Sequence, residues 1–280
     1  MSPRVGTTYE LVDFGAGRKL ERFGEVVLDR PCPAAEGFAV VSPEAWPQAR
    51  ARYDHTSEDR GQWNQPLEPW RVSLESLKLE LRATEFGHVG VFPEQAENWR
   101  WIAERVRAAG RSLKILNLFA YTGASTLVAA AAGAEVVHVD AARSTVDWAR
   151  HNAALSGLAD VPVRWIVDDA RKFVARELRR GQRYDAVVLD PPSYGHGSRG
   201  QAWKLEQDLM PLLDSCAELT RRQPAFMLLS CHSPGYGPEE LAALLGGWLP
   251  RGELSGADMN LVARDGRLLN AGAAARWWNS

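Results

Sequence analysis

Residues 113–142 read LKILNLFAYTGASTLVAAAAGAEVVHVDAA, and this stretch decides the fold. An apolar run enters a turn with a single glycine, Gly123. A run of small helix-forming residues follows, and EVVHVD then closes on Asp140. Strand, glycine turn, helix, strand and acid is the layout of a nucleotide-binding βαβ unit, whose turn approaches the ligand and whose acid, about 20 residues on, accepts from ribose hydroxyls. Working outward, the periodicity predicts strands over 113–119, 135–139, 163–167, 186–189 and 225–230, with two more around 260–263 and 267–269. Helices are predicted over 125–132, 146–156, 170–179, 202–220 and 239–249. Strands alternating with crossover helices specify an α/β fold, a Rossmann-like, doubly wound and mostly parallel seven-stranded sheet. Its ligands belong at the carboxyl edge, near the topological switch.

Before that rhythm the text changes character. Residues 9–29 alternate YELVDF, KLERFG and EVVLDR with glycine turns, a small hairpin unit. Residues 31–69 are rich in proline, charge and tryptophan, with a helical candidate at 43–52. Leu77, Leu79 and Leu81 alternate with charged residues as a half-buried strand. A turn at 87–90 precedes a helix running to about residue 109. The junction is placed near Gly87, with a β-rich N-terminal unit over 1–86 that could contact RNA or substrate and a main domain over 87–280.

The 280 residues are 45% hydrophobic and 24% charged with a formal net charge of −2, which excludes a protein that holds nucleic acid by a blanket of positive charge. Any RNA contact is then local. The densest basic stretch is 171–183, with an ordinary solvated helix face as its default reading. Cys32, Cys216 and Cys231 lack metal-ligand spacing, so neither a metal nor a disulfide framework is expected. No apolar run reaches the roughly 18 to 20 residues of a membrane span, and MSPRVGTTYE lacks a signal peptide's apolar core, so a cytoplasmic protein is expected.

The chemistry-bearing residues cluster at strand ends. Gly123 lets the backbone approach a ligand, and the following helix opens with free N–H groups that suit a carboxylate. The G-x-G-x-x-G of dinucleotide enzymes is absent, which disfavours a nicotinamide oxidoreductase. Asp140 is a ribose ligand or a loop acid. Asp169, after Asp168, is an adenine-edge ligand or a helix cap. The fourth strand ends in VVLDPPSYGHG, residues 187–197, where Pro191 and Pro192 cannot continue the ladder and leave Asp190 as an acceptor beside them. Tyr194 is a stacking platform for a planar base. Trp203-Lys204 opens the next helix, as an RNA contact or, by default, on a solvated face.

Asn117-Leu118-Phe119-Ala120-Tyr121-Thr122-Gly123, Leu189-Asp190-Pro191-Pro192-Ser193-Tyr194 and Ser230-Cys231 together resemble the class I S-adenosylmethionine-dependent methyltransferases, and within them the bacterial 23S ribosomal RNA cytosine-C5 enzymes. The resemblance implies S-adenosylmethionine as cofactor, held by Phe119, Tyr121, Thr122, Gly123, Asp140, Asp169 and Asp190. It carries over Gln95 from an upstream segment, Phe92-Pro93-Glu94-Gln95, that departs from the family pattern by a proline-acid pair. It implies RNA, ribosomal in particular, as partner, with Pro191, Pro192 and Tyr194 against the base. Cytosine C5 is a poor nucleophile until a thiolate adds to C6, which makes Cys231 the candidate nucleophile and Asp190 its catalytic partner. A buried core residue is the other reading of Cys231. Two alternatives stand beside this one: methylation of an exocyclic amine without a thiol, and a nonenzymatic RNA-binding factor that senses the cofactor.

Overall fold

The computed structural model describes residues 9–56, 60–196, 202–249 and 251–279, which divide into two compact units. The first comprises Met1–Ala96 and Asn260–Ala271, the second Glu97–Met259 and Gly272–Ser280. The first therefore runs nine residues past the expected junction at Gly87 and takes back a segment near the C-terminus.

In the first unit a five-stranded sheet runs in the order β1 (Tyr9–Gly15), β2 (Arg18–Phe23), β3 (Val26–Pro31), β4 (Ala51–His55), β5 (Gly61–Trp63). A separate hairpin joins β6 (Trp70–Leu74) to β7 (Leu77–Leu81), whose alternating leucines are all buried. The helical candidate at 43–52 is instead a 3-10 turn, Pro43–Gln48, followed by β4. Pro47 inside it has no N–H to donate, so an α-helix cannot propagate there. Two buried polar groups anchor this unit. Glu21, fully buried, pairs with Arg30. Asp13 accepts from Ser42 N at 2.8 Å, Trp46 Nε1 at 2.9 Å and Arg267 Nη2 at 2.6 Å.

The second unit contains β8 (Lys114–Leu118), β9 (Glu135–Asp140), β10 (Val163–Val167), β11 (Ala186–Leu189) and β14 (Phe226–Cys231), numbered around a small hairpin of β12 (Tyr194–His196) and β13 (Ala202–Lys204), while β15 (Glu253–Val262) and β16 (Leu268–Trp278) are each divided between the units. The large sheet has the order β10-β9-β8-β11-β14-β16-β15. The neighbours from β10 to β14 are parallel, and β16 lies antiparallel to β14. This is the expected Rossmann-like, seven-stranded, mostly parallel sheet, and its order reverses between β8 and β11, so that edge is the switch point where ligands sit.

Its helices are α1 (Ala96–Ala108), α2 (Ala124–Ala131), α3 (Arg143–Leu155), α4 (Ala170–Arg179), α5 (Leu205–Leu219) and α6 (Pro238–Trp248). One apolar cluster joins Leu116, Leu118, Leu189 and Leu229 of the strands to Phe173 of α4, Leu213 of α5 and Leu245 of α6. Truncating such a residue to alanine costs about 2–5 kcal/mol. Two expectations change. The segment at 202–204 is a strand rather than the first turn of α5, and the last two strands are much longer than the pieces around 260–263 and 267–269. β16 hides in AGAAARWW, a text poor in strand formers. Small residues are needed there: a Cβ on Gly272 would lie 2.7 Å from the Cys231 carbonyl oxygen.

Candidate active site

Because β10, β9, β8 and β11 are parallel neighbours, their carboxyl ends bring Asp169, Asp140, the turn 119–123 and Asp190 along one edge. The turn is backbone-strained. Phe119, Tyr121 and Gly123 have φ of 56°, 49° and 94°. For bulky residues such angles cost roughly 1–3 kcal/mol each and persist only where the surroundings enforce them. Here Asp140 Oδ2 accepts from Tyr121 N at 2.9 Å, and the Phe119 ring packs 4.8 Å from that of Trp203. Buried Thr122 is held by its carbonyl, which accepts from Asn152 Nδ2 of α3 at 3.1 Å. Gly123 is the N-cap of α2 and supplies no side-chain cap, so the first amides of that helix are not used by a capping group.

Beneath the turn lies a polar triad that sequence reading missed. Asn117 Nδ2 donates to Thr126 Oγ1 at 2.8 Å, and Thr126 Oγ1 lies 2.9 Å from Nδ1 of fully buried His138. Burial, with the positive charge of Arg150 behind it, pushes the His138 pKa down to about 3, so the imidazole is neutral at physiological pH. Among the described residues its Nε2 has no hydrogen-bond partner.

Asp140 is half-buried. Burial raises its pKa, against the opposing amides of Ala142, Tyr121 and Ala141. Asp169 caps α4, accepting from Lys172 N at 3.0 Å, and pairs with Arg171 at 3.2 Å. Burial works to raise its pKa, but Arg171 and the Lys172 amide outweigh it and the net shift is downward. The cap reading of Asp169 is thus realised in the geometry, which leaves its carboxylate fixed at the strand tip. Asp168 pairs with Arg176 at 2.6 Å, and Arg180 with Glu177 at 3.4 Å. Much of the basic stretch 171–183 is therefore an ion-paired helix face.

At the β11 tip Asp190 Oδ1 accepts from Ser230 Oγ at 2.8 Å and lies 3.5 Å from His232 Nε2. Ser230 and His232 both reach Asp190, while Cys231 Sγ accepts from Ser233 N at 3.4 Å, and Ser233 Oγ lies 2.6 Å from Ser193 Oγ beside the proline ledge. Cys231 is 1% exposed and belongs to the apolar cluster that also takes in Leu189 and Trp203. Burial raises its thiol pKa, the Ser233 amide lowers it, and Asp190 raises it further; the net shift is upward. Pro191 is buried and Pro192 exposed, and Pro192 O accepts from Trp203 Nε1 at 2.6 Å. Trp203 is buried, not on a solvated face, because it braces both the proline ledge and Phe119. Tyr194 is 50% exposed beside them. Gln95 is buried in the 3-10 turn Pro93–Gln95 and belongs, with Phe92, to the first unit rather than to the one that carries the strand tips.

Carboxylates at successive strand tips, a tight glycine turn and an uncapped helix start at the switch point are the features of a nucleotide-binding protein of the doubly wound class. The sequence matches the S-adenosylmethionine-dependent methyltransferase family model over residues 14–245, and the chain belongs to that family, with S-adenosylmethionine as its cofactor. The crystal structure of a SAM-dependent methyltransferase from Agrobacterium tumefaciens superposes with a TM-score of 0.91 at 37% identity, covering 98% of this chain and 91% of that one. Ribosomal RNA large subunit methyltransferase K/L of Alteromonas mediterranea is 28% identical over 79% of this chain and 30% of its own length. Methyltransferase I of the same subunit from Aeromonas salmonicida is 31% identical over 46% of this chain and 32% of its length. The chain thus spans about a third of these curated relatives. Among the described residues no helix is long and apolar enough to cross a membrane, and no cluster of three or more His, Cys, Asp or Glu could hold a metal.

Proposed function

We propose that the chain methylates a base of large-subunit ribosomal RNA in the cytoplasm, and that the accepting atom is an exocyclic amine. The observation that carries the choice of atom is the contrast between Asp190, held at the strand tip by Ser230 and His232, and Cys231, which is 1% exposed. A covalent route through cytosine C5 needs a thiolate beside the base. Cys231 instead lies in the apolar cluster with its pKa raised. When bound, S-adenosylmethionine supplies a methyl group activated by the sulfonium.

In this reading Gly123 and the start of α2 hold the cofactor's amino-acid end, Asp140 its ribose and Asp169 its adenine. Asp190 accepts a hydrogen bond from the target amine, which aims the nitrogen lone pair at the methyl. The nitrogen–carbon bond forms as the carbon–sulfur bond breaks, and the proton the amine sheds passes to the Asp190 carboxylate. Ser230 and His232 fix that carboxylate, while Pro191, Pro192 and Tyr194 form the ledge for the base.

The test is transfer of a tritiated methyl group into bacterial total RNA, followed by nucleoside analysis, with wild type, Cys231→Ala and Asp190→Ala. The reading expects an N-methylated nucleoside, Cys231→Ala within about tenfold of wild type and Asp190→Ala severely impaired. Labelled 5-methylcytidine, together with a collapse of Cys231→Ala by about 10⁴-fold or more as for a lost nucleophile, would restore the covalent route. Cofactor binding without incorporation into any RNA would favour the nonenzymatic sensing factor.

A further inference from the structure

The first unit holds a cavity of about 190 Å³ that the reaction above does not use. One wall is a loop of residues 84–88 closed on itself, with Thr84 N and Oγ1 donating to the His88 carbonyl at 3.1 and 2.8 Å. The loop is pinned from outside as well. Tyr53 Oη donates to Glu85 O at 2.7 Å, Trp63 Nε1 to Thr84 O at 2.9 Å and Arg30 Nη1 to Gly87 O at 2.9 Å. Gly87 has φ +76°, and a Cβ there would fall 2.7 Å from the Tyr53 ring, so the loop lies flat against Tyr53 and no other residue fits. The result is that Phe86, 51% exposed, is held at the cavity edge on a rigid mount.

The remaining lining has mixed chemistry. Exposed His55 and His88 add flat rings, with His88 5.2 Å from Phe92. Lys19, at 3.2 Å, and the buried guanidinium of Arg30 both pair with buried Glu21, and Glu94 adds a carboxylate to the lining. Rings offer faces for stacking, and a carboxylate accepts from an amino group but repels a carbonyl oxygen. The volume is below the roughly 300–1,000 Å³ of sites for drug-sized ligands, which restricts the occupant to about one base.

We propose that this cavity binds one unstacked, amino-bearing nucleobase of single-stranded RNA, stacked on Phe86 with its amino group toward Glu94. The proposal rests on the RNA reading above and adds a recognition point for that RNA in the other unit. The test uses the full chain saturated with S-adenosylhomocysteine, so that the cofactor site cannot take up the probe. Adenosine 5′-monophosphate, uridine 5′-monophosphate and an adenine-rich single-stranded hexanucleotide are titrated against wild type, Phe86→Tyr and Phe86→Leu. The expected result is preference for the adenine nucleotide, retention by Phe86→Tyr and a loss of about 5- to 100-fold for Phe86→Leu, the range for one stacked base. Phe86 is exposed, so both variants should match wild type in melting temperature and cofactor affinity. Failure of the adenine nucleotide to bind, or equal binding by Phe86→Leu, overturns the proposal. RNA that is methylated normally while Phe86→Leu binds like wild type removes the cavity alone. Phe86-dependent binding with no RNA methylated anywhere removes the substrate reading and leaves the cavity standing.

Discussion

Gly123→Ala is the substitution whose cost can be worked most fully from the geometry. The residue has φ +94°, on the side of the backbone map where an L-residue pays about 1–2 kcal/mol. A Cβ there would also meet Ala149 Cβ at 3.0 Å and Ala149 Cα at 3.6 Å, against the backbone of α3 rather than a flexible side chain. Overpacking of that kind costs roughly 1–3 kcal/mol. The total of about 2–5 kcal/mol must appear either as lost stability, if the turn stays in place, or as lost cofactor affinity, if it moves. Gly133→Ala is the control, since its φ is +105° with nothing within 4 Å of the added carbon, and only the dihedral cost remains. Urea denaturation and calorimetric titration with S-adenosylhomocysteine measure the two halves. Gly123→Ala should lose at least about 2 kcal/mol across the two assays, whereas Gly133→Ala should lose about 1–2 kcal/mol of stability and no affinity. If Gly123→Ala keeps both stability and affinity at wild-type values, the packing of turn against α3 is not what shapes the site.

Three further outcomes are expected. His138 has a folded-state pKa of about 3 against an ordinary 6.5, so below pH 6.5 the unfolded chain takes up a proton that the folded chain refuses; the stability this group contributes is complete above pH 6.5 and falls by up to about 1.4 kcal/mol per pH unit toward pH 3. His138→Gln should therefore lose less stability than wild type between pH 7 and pH 5, by up to about 2 kcal/mol in urea titrations, and parallel curves would contradict a buried neutral imidazole. Asp13 is held below the usual carboxylate range, because although burial raises its pKa, Trp46 and the amides of Ser42, Phe14 and Val41 together outweigh it. Its contribution is present above about pH 4 and lost as pH falls through the lowered value, so the stability gap between wild type and Asp13→Asn should be full at pH 7 and close progressively below pH 4. Cys216 and Cys231, both raised by burial, should resist iodoacetamide at pH 8 until the chain is unfolded; mass spectrometry showing fast alkylation of Cys231 would argue for an accessible nucleophile.

The large sheet was legible because its strands are short apolar runs separated by helices of 3.6-residue period, and because each site acid closes such a run. Asp140, Asp169 and Asp190 could be placed on one edge without coordinates. β16 could not, since AGAAARWW is shaped by the space beside Cys231 and Met259 and not by strand propensity. The burial of Cys231 was hidden for a related reason: the apolar cluster that takes it in draws on Leu189 of β11, Leu213 of α5 and Leu245 of α6, which meet only after folding. The burial of Trp203 was hidden because the expected helix at 202–204 is a strand whose hairpin carries the indole 11 residues back to the Pro192 carbonyl and onto the Phe119 ring of a distant turn. The Asn117–Thr126–His138 triad carries no local signature, as three common polar residues on two strands and a helix meet only after folding.

Calorimetric titration of wild type and Asp140→Ala with S-adenosylhomocysteine bears most directly on the assembly of the strand tips into a cofactor site. One molecule bound per chain by wild type, and an affinity at least about tenfold weaker without the Asp140 carboxylate, is the result this geometry requires. Absence of heat with wild type, or equal affinity in both proteins, would contradict it.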